Sequence, residues 1–174
     1  MYDYIQKMIS NIPTNVKGKQ ATSAPGYLFK INKDGTKLDK STTDTFHHIM
    51  VQMLYPRKQA RPDIQLGTAF LSTPVQSPGE DDYKKLTHQM CFLQATEYLP
   101  LTIQNNGEGT LIYIDGAHAV HGNMKGHAGV QVTEGTGTIY ASLTKNRLNV
   151  VSSTEVEIVS VGENLPKNIW YRKF

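Results

Sequence analysis

The 174-residue chain has 39% apolar and 9% aromatic residues, enough to build a core in one or two small domains, and a formal net charge of +3. No apolar run approaches the roughly 20 residues that a membrane-crossing helix needs, and Met1-Tyr2-Asp3-Tyr4-Ile5 lacks the apolar stretch of a secretory signal. The single cysteine, Cys91, excludes a disulfide framework and a cysteine zinc site, so an intracellular setting, cytoplasm or nucleus, without membrane contact is the expectation.

Charge is unevenly spread. Residues 1–40 carry seven lysines against three acids, whereas residues 41–110 carry five basic and seven acidic side chains. A lysine-rich leader suits phosphate contacts, and equally a solvated loop.

Residues 1–45 read as a connector with a short N-terminal helix. Tyr4, Ile5, Met8 and Ile9 share one helical face, Pro13 stops the helix, and Asp34-Gly35 signals a turn. Residues 46–105 read as a helical segment. Phe46, Met50, Met53 and Leu54 recur at helical steps, and Pro56 is expected to kink or break that run, since proline inside a helix costs about 3 kcal/mol. Arg61-Pro62-Asp63 opens a second run through Ile64, Leu66, Ala69 and Phe70. Glu80-Asp81-Asp82 opens a third, where acids complement the helix dipole. Leu86, Met90 and Leu93 line its buried face, and Cys91 falls within the same apolar pattern as a packing residue.

In residues 106–174 the period changes. Leu111-Ile112-Tyr113-Ile114 reads as a short strand buried on both faces, followed by two alternating strands around residues 130–132 and 138–143 with glycine-bearing links. Ser152-Ser153-Thr154-Glu155-Val156-Glu157 then signals a helix start, with Ser152 and Glu155 spaced for a capping box, or Thr154 and Glu157 one register later.

Two acids stand out as chemistry. Asp115 ends an apolar strand before a glycine, and Glu157 lies in the first turns of the following helix. If that helix crosses the strands, the two carboxylates converge on a magnesium ion, which prefers hard oxygen ligands and serves phosphodiester hydrolysis in two-metal sites. Spacing alone equally allows Asp115 to start a turn and Glu157 to be a solvated cap residue. His118, His121 and His127 lack the partners of a zinc set and read as loop histidines.

Several segments, in order, resemble the polyprotein of copia-type LTR retrotransposons. Phe46-His47-His48, Ala60-Arg61-Pro62-Asp63-Ile64-Gln65, Ala69-Phe70-Leu71 and Asp81-Asp82-Tyr83-Lys84-Lys85-Leu86 are similar to the segment after the reverse-transcriptase palm. Asp115, Ala119-Val120-His121 and His127 with Gly129 resemble the opening of that family's ribonuclease H domain, and Ser152 to Glu157 its Ser-Ser-Thr-Glu-Ala-Glu signature. The resemblance implies an α+β chain: a helical thumb or connection segment, then a partial ribonuclease H-like fold of three antiparallel strands and the first helix, over residues 106–174. It implies catalytic and metal-binding roles for Asp115 and Glu157, a Mg2+ cofactor and an RNA–DNA hybrid or other nucleic acid as partner.

The same resemblance implies that the remaining acids lie beyond Phe174 and the polymerase aspartates before Met1, leaving a fragment inactive alone. It also implies an open edge on the strand around residues 111–114, through which copies self-associate. Pro56, Pro74, Gly126 and Ala128 depart from the family pattern and point to the alternative, a non-catalytic remnant or a recruited nucleic-acid- or protein-binding module.

Overall fold

The computed structural model describes residues 1–11, 18–32, 35–107, 109–171 and 173, and the chain divides into two compact units, Met1–Pro100 and Leu101–Phe174. Pro13 and Asp34, which carry the expected helix stop and turn, lie outside the described residues. The α+β class holds: five α-helices and a three-stranded antiparallel sheet are present among the described residues. None of these helices is long and apolar enough to cross a membrane.

The first unit is helical: α1 (Tyr2–Ser10), α2 (Lys40–Gln59), a 3-10 turn (Pro62–Ile64) running into α3 (Gln65–Leu71), and α4 (Glu80–Ala95). Helix α2 starts earlier than its apolar pattern because the Asp39 carboxylate accepts the N–H groups of Ser41 and Thr42, at 3.0 and 3.3 Å. Pro56 does not break it. The proline leaves the Gln52 carbonyl without its helical donor, and Tyr4 Oη from α1 donates to that oxygen at 2.9 Å. The core gathers Phe46, Met50 and Met53 from α2 with Leu86, Met90 and Leu93 from α4. Cys91 packs in the same core, and burial pushes its thiol pKa up, as suits an inert packing residue.

Two buried cations lock this unit. Arg61 is 2% exposed. Its guanidinium grips Asp63 at 2.7–3.1 Å, donates to the Thr96 carbonyl and hydroxyl at 2.9 and 2.7 Å, and lies over the Phe92 ring. Lys85 pairs with Asp81 at 2.9 Å, while Asp82 caps α4 by accepting the Gly79 N–H.

The second unit is a meander followed by a helix: β1 (Thr110–Ala117), β2 (His127–Glu134), β3 (Gly137–Lys145) and α5 (Ser153–Tyr171), with strand order β1-β2-β3. Gly135 adopts φ 54° in the β2–β3 turn, a conformation that disfavours side chains. Strand β1 differs from expectation in burial. Ile112 and Ile114 are half-buried, but Leu111 and Tyr113 on the alternate face are 41% and 55% exposed. Among the described residues no strand pairs with its outer edge.

Helix α5 starts as its sequence predicts. Ser152 Oγ accepts the Glu155 N–H at 3.1 Å, and the Glu155 carboxylate accepts the Val151 N–H at 2.8 Å, one residue outside the usual reciprocal partner. The helix lies on β1 and β2 through Val156, Ser160 and Asn164, three buried residues at four-residue steps.

Candidate functional site

One close contact positions the two acids that the sequence singles out. A Cβ on Gly116 would lie 2.6 Å from Ser160 Oγ and 3.1 Å from the Val156 carbonyl oxygen. A Cβ on Gly126 would lie 2.6 Å from the Ala117 carbonyl oxygen and 2.9 Å from a Val156 methyl. Only glycine leaves room at these two points, so the first turns of α5 sit directly on the end of β1. Asp115 immediately precedes Gly116, and Glu157 immediately follows Val156. The carboxylate-bearing residues therefore flank the closest approach of strand and helix, and both are exposed. Asp115 Oδ1 accepts the Gly116 N–H at 2.9 Å, turning the carboxylate back along its own strand.

The neighbouring acids are engaged elsewhere. Glu155 caps the helix, and Glu134 accepts a hydrogen bond from Thr110 at the opposite end of β1 from Asp115. Among the described residues no group of three or more His, Cys, Asp and Glu side chains is placed to hold a metal ion. As a donor set, two exposed carboxylates suit a magnesium ion that keeps most of its water shell.

His118 and His121 lie in the loop between β1 and β2, as read from the sequence, whereas His127 opens β2 and pairs with His121. A tight turn, in which Met124 N–H reaches the His121 carbonyl and His121 N–H reaches the Lys125 carbonyl, returns the chain so that His121 meets His127 at the start of β2. His121 Nε2 lies 2.9 Å from His127 Nδ1, the rings stack 5.0 Å apart, and both residues are buried. Burial, and secondarily the charge of Lys145, push the His121 pKa down to about 4. His118 turns away, its Nε2 lying 3.1 Å from the Val150 carbonyl oxygen.

Sequence reasoning also missed two buried polar groups beside the glycine contacts. Ser160 Oγ, and both ends of the Asn146 amide, have no hydrogen-bond partner among the described residues. Ser160 carries no signal for this, because the apolar stripe of α5 (Ile158, Val161, Leu165, Ile169) lies on another, exposed face. Asn146 carries no signal either.

Comparison of this chain with protein-family models, with curated proteins and with solved structures finds no match.

Proposed function

We propose that this chain is a segment of a copia-type retrotransposon polyprotein, joining the C-terminal connection of a reverse transcriptase to the first half of a ribonuclease H-like domain. The observation that carries the reading is the placement of Asp115 and Glu157 on either side of the Gly116–Val156 contact. The motif resemblance selects these two acids, and the glycine contact sets the backbone positions from which they project. In this role Asp115 and Glu157 would hold a magnesium ion, which would supply a polarised water for phosphodiester hydrolysis.

Two carboxylates make half of a two-metal centre, so hydrolysis requires acids from further along a polyprotein. The purified 174-residue protein is expected neither to cleave an RNA–DNA hybrid nor to extend a primer with magnesium or manganese. Cleavage abolished by Asp115→Asn would overturn the claim of an incomplete centre. Magnesium titration followed by NMR tests the site itself. Shifts at Gly116 and Glu157 should saturate weakly, at about 1–10 mM, and vanish in Asp115→Asn. A spectrum that does not respond would remove the metal role and favour the second reading, a non-catalytic remnant or recruited binding module.

A further inference from the structure

Residues 101–174 carry six basic and six acidic side chains, and among the described residues four cations of this unit gather in one place. A cleft of about 640 Å³ opens between the end of β3 and the middle of α5, lined by Thr144, Lys145, Arg147, Glu163, Asn164 and Lys167 among others. The fourth cation, Lys125, donates to the Arg147 carbonyl at 2.7 Å and so is tied to the same stretch of chain. Lys167 is held at the cleft by Asn164, whose Oδ1 accepts from its ammonium at 3.0 Å while its Nδ2 donates to the Ser160 carbonyl. Asn164 is itself buried, so this arm is rigidly seated on α5.

Among the described residues Glu163 is the single acid lining the cleft. The cations therefore repel one another with little compensation, and Lys145 shows it: burial, then the charge of Lys125, push its pKa down. A neutral unit that segregates its positive charge into a concave site is arranged for an anion larger than a single carboxylate.

We propose that this cleft binds backbone phosphates of a nucleic acid, with Lys145, Arg147 and Lys167 as the phosphate contacts. The inference rests on the nucleic-acid reading of the second unit and adds the surface through which it binds. The site lies along α5 from the Asp115–Glu157 pair, past Ser160 and Asn164, so it anchors the strand at a distance from any metal. Each phosphate neutralised by a lysine or arginine releases counterions and contributes about 0.9 to the salt dependence of duplex binding.

The test measures fluorescence anisotropy of a labelled RNA–DNA hybrid with the full 174-residue chain across a salt series. The wild type is compared with Lys145→Gln/Arg147→Gln/Lys167→Gln and with a control neutralising three lysines of the first unit, Lys7, Lys19 and Lys40. Inorganic phosphate serves as competitor. The cleft variant should bind about tenfold or more weakly at 50 mM salt and lose about 2–3 from the slope of log affinity against log salt, with the control near wild type. Arg147→Gln alone, at an exposed position, should lose about one third of that slope change if the triple variant does not fold.

Hybrid binding with a slope unchanged in the variants, or changed equally in the control, would overturn the cleft while leaving nucleic-acid binding standing. Absence of hybrid binding by the wild type would overturn both. Inorganic phosphate that binds as tightly as the hybrid would show a small-anion site and overturn the nucleic-acid assignment.

Discussion

Arg61 shows what a residue can do that its sequence context does not announce. Arg61-Pro62-Asp63 is legible as a helix start, but Thr96, the partner that makes the arginine a lock, lies 35 residues away. Arg61→Ala removes two charge-assisted hydrogen bonds to Thr96 and a buried guanidinium over Phe92, so it should cost about 2–3 kcal/mol in urea unfolding of the first unit. A loss below about 1 kcal/mol would mean that the network is decorative. His121 makes the corresponding case for pH. Its folded pKa of about 4 lies below the ordinary 6.5, so the unfolded chain takes up the proton first. Stability of the second unit should be complete above about pH 6.5, fall with pH, and level off below about 4, a total loss on the order of 2–3 kcal/mol. Urea melts from pH 7.5 to 4 should show this limb, and His121→Gln should flatten it. An unchanged slope in the variant would assign the acid sensitivity to other groups.

At the scale of elements, period was a good guide to existence and a poor guide to orientation. The three strands and the cap of α5 are legible because alternation and the Ser152–Glu155 spacing are local. The face that α5 turns to the sheet is not. Ile158, Val161, Leu165 and Ile169 form an apolar stripe at helical spacing, the pattern of a core face, yet they are 46–69% exposed. Val156, Ser160 and Asn164 are buried instead, because the close glycine contacts with β1 favour a flatter face. Strand β1 is similar: its apolar run suggests burial on both sides, but one face is exposed and, among the described residues, no strand pairs with its outer edge. An unpaired edge beside Leu111 and Tyr113 is a template for intermolecular pairing. Light scattering on a sizing column should therefore show concentration-dependent association. Tyr113→Lys, on the open face, should reduce it with less packing loss than Ile112→Lys. A wild-type monomer with a cooperative melt would refute the edge as an association site.

For the whole molecule, the change of period after the third helical run foreshadowed a helical part and a sheet part. The segment that begins the sheet part was not foreseen, because Leu101–Gln104 has no strand pattern. It is tied down by the β2–β3 turn, where Thr136 N–H reaches the Gln104 carbonyl at 3.0 Å. The chain just before it is exposed, with Tyr98 at 72%. Limited proteolysis should accordingly nick within residues 97–100 and spare 102–105. First cuts inside α2 or β2 would contradict two separately folded units. Cation clustering in the second unit is likewise a property of the assembled molecule, since Lys125, Lys145, Arg147 and Lys167 span more than forty positions and are no run in the sequence.

The two glycines under α5 have a consequence for how the chain can drift. Gly116 and Gly126 are held by geometry, since a Cβ would collide with Ser160 Oγ at the first and with the Ala117 carbonyl at the second. Asp115 and Glu157, one residue from that contact, are exposed and contribute little to its packing. A lineage kept only for its fold would therefore hold the glycines while its acids wander to asparagine, glutamine or lysine. A lineage kept for hydrolysis would hold all four. In a deep library of variants the ratio of tolerated changes at positions 115 and 157 to those at 116 and 126 would thus read out, with no assay of chemistry, which history this chain has had.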